Sequence, residues 1–158
     1  SDRGATWRYA ANLPLSQFYH VRHDMETPYN VYGGLQDNGS WRGPSAIWRQ
    51  GPIRNSDWIE VGFGDGFDTL PDPENARRGY AMSQDGYLLR WNLDTGERFM
   101  IRPAAPDPAT RLRFNWNAGL AQDPFDAGTI YFGSQFVHRS TDRGNTWTII
   151  SPDLTSND

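Results

Sequence analysis

Gln122-Asp123-Pro124 and, shortly after it, Ile130-Tyr131-Phe132-Gly133-Ser134-Gln135 are the stretch on which the reading of this chain turns. Asp123 precedes Tyr131 by eight residues, and Tyr131 precedes Gln135 by four. The same spacing joins Asp72, Tyr80 and Gln84 in Pro71-Asp72-Pro73 and Gly79-Tyr80-Ala81-Met82-Ser83-Gln84. It joins Asp24, Tyr32 and Gln36 in His23-Asp24-Met25 and Val31-Tyr32-Gly33-Gly34-Leu35-Gln36 as well. The three copies start 48 and 51 residues apart. Three residue types held in register over three copies define an internal repeat, and a period of this size belongs to a repeat architecture.

Each unit contains four short β-rich runs, so the expected unit is a propeller blade. The expected strands are 16–23, 30–36, 40–49 and 57–62 in the first blade, 66–71, 78–84, 87–93 and 97–102 in the second, and 111–121, 129–134, 136–141 and 146–151 in the third. Residues 1–11 read as the outermost strand of a preceding blade, followed by blades at 12–63, 64–108 and 109–158. The expected fold class is therefore all-β: three four-stranded antiparallel blades plus one leading outer strand, part of a larger or oligomeric propeller. Turn chemistry agrees. Asp37-Asn38-Gly39 and Asp85-Gly86 follow the repeated Gln and supply the positive φ that tight hairpins need, and Thr95-Gly96 closes another hairpin. No segment keeps a 3.6-residue apolar period, so no helix of consequence is expected.

Composition narrows the function. The chain has 158 residues, the size of one ordinary domain, and its 16 Gly and 11 Pro suit short strands and many turns. A net charge of −4 gives no basic face for a phosphate backbone, so nucleic acid is not an expected partner. With no Cys there is neither a disulfide framework nor a thiolate metal site. No apolar run approaches the roughly 18 residues of a spanning helix, and no membrane insertion is expected.

Ser140-Thr141-Asp142-Arg143-Gly144-Asn145-Thr146-Trp147 is the most specific motif. Its physics is local: the Asp142 carboxylate can accept hydrogen bonds from the hairpin, Gly144 can take a positive φ, and Trp147 can bury between blades. Ser1-Asp2-Arg3-Gly4-Ala5-Thr6-Trp7 repeats it without its first residue, so the chain reads as cut from something longer. The pattern resembles the Asp-box, Ser/Thr-x-Asp-x-Gly-x-Thr-Trp. The whole chain resembles the bacterial BNR/Asp-box repeat proteins, often labelled glycosyl hydrolases and related to the propeller of sortilin-type receptors. The stretches that carry this are Tyr32–Trp41, Gly64-Asp65-Gly66-Phe67, Arg113-Phe114-Asn115-Trp116-Asn117 and Ile150–Thr155. The resemblance implies a propeller and an extracellular or periplasmic location. It brings no transferable catalytic motif. Asp2, Gly4, Trp7, Ser140, Asp142, Gly144, Thr146 and Trp147 are expected to be structural.

In propellers of the kind this chain resembles, the loops joining second to third strands and fourth strands to the next blade share the face where ligands bind. That assigns Gln36–Gly39, Gln84–Gly86, Gly62–Phe67 and Pro103–Pro108 to the candidate face, and Asp37, Asp65, Asp68 and Asp85 are its acids. A glycosidase needs two carboxylates about 5–5.5 Å apart for retention or about 6.5–9.5 Å for inversion, and Asp65 and Asp68 are the candidates for that role. The alternative reading makes Asp37 and Asp85 turn residues and Asp65 a cap on a Gly-rich corner. A sialidase-like site would also want an arginine cluster and a Tyr nucleophile with a Glu partner, and a xyloglucanase-like site a second propeller across a cleft. His20, His23 and Asp24 are close in sequence, but positions 20 and 23 point to opposite faces of a strand, so no metal is expected, and no cofactor.

Trp7, Trp58 and Trp147 are expected between blades, and Tyr32, Tyr80 and Tyr131 in the core. Trp41, Trp48 and Trp116 are free for stacking, with Asn115 and Asn117 beside Trp116 on an inner strand. The expected ligand residues are Asp37, Asp65, Trp116, Asn115 and Asn117. The function expected is that of a non-catalytic binding or scaffolding segment for a peptide or glycan. Its alternative is a fragment of an Asp-box glycoside hydrolase. In either case the remaining blades must come from the same parent chain, another chain or further copies.

Overall fold

The computed structural model describes residues 2–8 and 16–156. They form three four-stranded antiparallel sheets, each an up-and-down meander, and the fold is three blades of a β-propeller. The first blade holds β1 (Phe18–His23), β2 (Asn30–Leu35), β3 (Ser40–Pro44) and β4 (Ile59–Gly62). The second holds β5 (Gly66–Asp72), β6 (Asn75–Ser83), β7 (Tyr87–Asn92) and β8 (Arg98–Met100). The third holds β9 (Leu120–Gln122), β10 (Ile130–Gly133), β11 (Val137–Ser140) and β12 (Thr148–Ile149).

The strands differ from the expected ones where side chains compete with the ladder. The third blade's inner strand is Leu120–Gln122 rather than 111–121. The Gln135 side chain takes the backbone of the preceding segment instead: Arg113 N–H donates to its Oε1 at 2.8 Å, and its Nε2 donates to the Arg111 carbonyl at 2.9 Å. β3 stops at Pro44 rather than 49. Beyond it, residues 45–58 form a loop fastened by the Arg49–Asp57 ion pair. Of the leading outer strand expected at 1–11, residues 2–8 form a turn without strand, and residues 1 and 9–11 lie outside the described residues.

The repeat has a physical explanation. In the first blade the Tyr32 hydroxyl donates to Asp24 Oδ2 at 2.8 Å, while Asp24 Oδ1 accepts the Asn30 N–H at 2.9 Å and closes the β1–β2 turn. In the third, the Tyr131 hydroxyl donates to Asp123 at 2.9 Å, and Asp123 accepts the Phe125 N–H at 2.9 Å. The second blade departs from this. Asp72 accepts Arg78 Nε at 2.7 Å and Arg143 Nε at 3.1 Å, and the buried Tyr80 hydroxyl is left without a partner. In the second and third blades the repeated Gln ties the second turn to the segment entering the first strand, as Gln84 does by accepting the Asp65 N–H at 2.9 Å.

Apolar burial lies between blades. Tyr32 and Val61 of the first blade meet Ala81, Leu89 and Trp91 of the second, with the Tyr32 and Trp91 rings stacked 6.0 Å apart. Phe67, Leu70, Tyr80, Met82, Leu88 and Ile101 of the second blade meet Leu120, Ile130 and Phe132 of the third. Each fully buried large side chain contributes about 1.5–3 kcal/mol. Backbones approach closely where glycine allows it: a Cβ on Gly34 would lie 2.1 Å from the Gly66 carbonyl carbon. Tyr131 is only half-buried, unlike the core position expected, because it faces the flank of the third blade, where no further blade lies among the described residues.

The Ser140–Trp147 motif folds as a closed hydrogen-bonded loop and also joins two blades. Asp142 accepts from the Thr146 N–H at 2.8 Å, the Thr146 hydroxyl at 2.7 Å and the Ser140 hydroxyl at 2.7 Å. Across the blade boundary, Trp147 Nε1 donates to the Ile101 carbonyl at 2.7 Å, Arg90 donates to the Arg143 carbonyl at 2.8 Å, and Arg143 pairs with Asp72 and Glu74. In the first copy Asp2 accepts from the Gly4 N–H and the Thr6 hydroxyl. Arg3 and Gly4 take φ of 58° and 87°, against 59° and 86° at Arg143 and Gly144. Trp7, however, is 92% exposed, contrary to its expected inter-blade place. The motif forms locally, but its Trp needs a neighbouring blade, and no described residue supplies one. Trp58 rests against Gly43 of its own sheet.

Two outcomes follow. Tyr32→Phe removes a hydrogen bond to a buried carboxylate and should cost about 1.5–3 kcal/mol in urea denaturation, whereas Tyr80→Phe removes a partnerless hydroxyl and should be neutral or stabilising. The Thr146 N–H, with the Thr146 and Ser140 hydroxyls, holds Asp142 at about 2, below its ordinary 3.8. A depressed carboxylate stabilises the fold above its unfolded value and ceases to as pH falls through the folded one. Asp142→Asn should therefore flatten the loss of thermal stability between pH 4 and pH 2.

Candidate ligand face

A meander of four antiparallel strands sends its turns to two opposite ends. The second turns of the blades and the connections between blades share one end; the first and third turns share the other. Among the expected acids of the first end, Asp37 and Asp85 occupy turn positions and Asp65 is hydrogen-bonded into the fold. Asp37 takes the positive φ of its turn, 57°, and Asp85 likewise, 59°. Asp65 Oδ1 accepts the Asp37 N–H at 2.6 Å, and the Asp65 N–H is given to Gln84. With Gly39 N–H donating to the Gly64 carbonyl at 2.8 Å, Asp65 is the clip that fastens the first blade's turn to the strand entering the second.

Asp68 is buried on β5 and turned toward β1, where Arg22 Nε donates to its Oδ1 at 3.1 Å. His20 Nδ1 lies 3.2 Å from the same oxygen but is not aligned for a hydrogen bond. Asp65 and Asp68 thus face different partners. His23 Nδ1 approaches the Asp24 carbonyl at 2.9 Å, and the Asp24 carboxylate is engaged by Asn30 and Tyr32. His20, His23 and Asp24 do not converge, and no group of three or more His, Cys, Asp or Glu among the described residues is placed for a metal.

Trp116 is 51% exposed in a bend before β9, with Asn115 and Asn117 exposed beside it. These three do not alternate on an inner strand as expected, because that strand begins only at Leu120. Trp41 donates its indole N–H to the Asn38 carbonyl, and Trp48 stands in the 45–58 loop at the opposite end. His138 is buried against Phe114, Phe136 and Trp147, with Ser134 Oγ 2.7 Å from its Nε2, and burial lowers its pKa.

Sequence reasoning missed an aromatic ledge on the same end. Phe63 and Tyr87 meet edge to face at 6.2 Å. The Arg102 guanidinium lies 5.7 Å from the Tyr87 ring centre and 4.7 Å from that of Phe114. Only Gly86 after Asp85 hinted at it: a Cβ there would lie 2.3 Å from the Phe114 ring. A cavity of about 620 Å³ opens at the other end, among the ends of β1, β5 and β9, with Arg22, Glu26, Glu74 and Gln122 in its wall.

No family model matches the chain, and no curated protein matches it. Among solved structures it is similar to the Niastella koreensis GH74 enzyme, with a TM-score of 0.49 and 16% sequence identity over 76% of this chain. It spans 19% of that enzyme's chain.

Removal of Arg22 and Asp68 should not be symmetrical. Arg22→Ala leaves a buried carboxylate without its cation and should cost about 1–3 kcal/mol in urea denaturation, and the isosteric Asp68→Asn should cost less, since Arg22 is half exposed.

Proposed function

We propose that the chain is a non-catalytic binding and scaffolding segment of a larger propeller, of the BNR/Asp-box kind, whose loop end holds a peptide or a glycan. The observation that carries this reading is the commitment of the candidate acids to the fold. Glycoside hydrolysis asks two carboxylates to flank one sugar, one of them free to hand over a proton. Asp65 instead accepts the Asp37 N–H at 2.6 Å, and Asp68 is buried against Arg22. The half-exposed Trp116, Phe63 and Tyr87 on the same end offer contact area with little ordering cost. The remaining blades are its structural partners, whether from the parent chain, another chain or further copies, and the motif resemblance supports a secreted or periplasmic setting.

The test is reducing-sugar release from a panel of soluble polysaccharides by the 158-residue chain and by Asp65→Asn. Neither protein should release sugar above the blank. Release by the unmodified chain that Asp65→Asn abolishes would overturn the reading in favour of a hydrolase.

A further inference from the structure

We propose that the Arg102–Tyr87–Phe63 ledge is a binding site for carboxylated glycans, chains containing uronic acid residues; this rests on the loop end being a binding surface. Arg102 is exposed, and none of the ion pairs or side-chain hydrogen bonds among the described residues involves it. It is the one arginine among them that lies against two aromatic rings, Tyr87 at 5.7 Å and Phe114 at 4.7 Å. Phe114 is held in turn by the core, 5.4 Å from Phe132. The two rings flank the guanidinium, and no ion pair or side-chain hydrogen bond among the described residues occupies its N–H groups. Those edges match a carboxylate in a bidentate contact.

The chemistry beside the guanidinium selects the ligand. Tyr87 and Phe63 are 43% and 47% exposed, so the neighbouring surface is aromatic. A uronate carries its carboxylate directly on a pyranose ring. One such residue can lay its C–H face on the ledge while its carboxylate meets Arg102. An acidic peptide brings its carboxylate on a flexible stem without a flat face, and must order that stem on binding. A neutral glycan offers the guanidinium edges only uncharged hydroxyl acceptors, which form weaker bonds than a bidentate carboxylate. Arg102 lies in the connection between β8 and β9, outside both inter-blade clusters, so its replacement leaves the core intact.

The experiment is calorimetric titration of the 158-residue chain with a size-defined oligogalacturonate, a neutral cello-oligosaccharide of the same length and poly-glutamate. Oligogalacturonate should bind, weaken with added salt, and lose about tenfold or more in affinity in both Arg102→Gln and Arg102→Lys, since Lys supplies charge without the planar fork. Tyr87→Ala should weaken it too, with circular dichroism confirming that each variant is folded. Equal binding by the Arg102 variants, no oligogalacturonate binding, or equal or tighter binding of poly-glutamate or the neutral oligosaccharide would overturn the proposal. Such a result together with binding of either alternative ligand would leave the binding role standing. Consumption of oligosaccharide during the titration would instead count against that role itself.

Discussion

The contact between the apolar faces of neighbouring blades is what the rest of the molecule is built around. A four-stranded meander has no interior of its own, so Tyr32 can be buried only because Trp91 of the next blade stacks on it, and Leu88 only because Ile130 and Phe132 stand opposite. The polar repeat serves that contact. Burying a tyrosine hydroxyl costs stability unless it is hydrogen-bonded. An aspartate eight residues upstream, at the end of the adjacent strand, supplies the acceptor and caps the turn with the same carboxylate. Where the second blade diverts Asp72 to two arginines, the Tyr80 hydroxyl goes unpaired, and the gain is a charged link from the Ser140–Trp147 loop of the third blade to the turn of the second.

That logic accounts for what could be read from the sequence. Aspartate, tyrosine and glutamine in fixed register revealed the blades because the Asp–Tyr bond recurs in the first and third blades and the Gln tie in the second and third. The Ser140–Trp147 loop was legible because its bonds are local: Asp142 accepts from Ser140 and Thr146 within one turn. Contacts made across a blade boundary were not legible. Nothing local distinguishes Trp147, bonded to Ile101, from Trp7, which stands in solvent. The inner strand expected at 111–121 shortened because the Gln135 side chain captured its backbone, a pairing over 22 residues that periodicity does not register.

The same division governs function. Acidic residues look like catalytic candidates in a sequence, and here the two candidates for catalysis are engaged by the fold: Asp65 by the Asp37 N–H and Asp68 by Arg22. Among the described residues the loop end carries exposed aromatic surface with the Arg102 guanidinium against it, beside the unpartnered side chains of Arg111, Asp37 and Asp85. Phe63, Tyr87, Arg102 and Phe114 come from three separate connections and meet only because adjacent blades bring their loops together. The loops can vary in this way without cost because stability resides below them, between the sheets.

The blades are stabilised by one another rather than each by itself. Native-state amide hydrogen exchange tests it most directly. The second blade is covered on both faces, so the amides of β6 and β7, from Tyr80 to Met82 and at Leu88 and Leu89, should exchange only through global unfolding, with β1 and β12 opening at lower free energy. Equal protection in all three blades, or greater protection in the first or third, would contradict the account and show that each sheet carries its own stability.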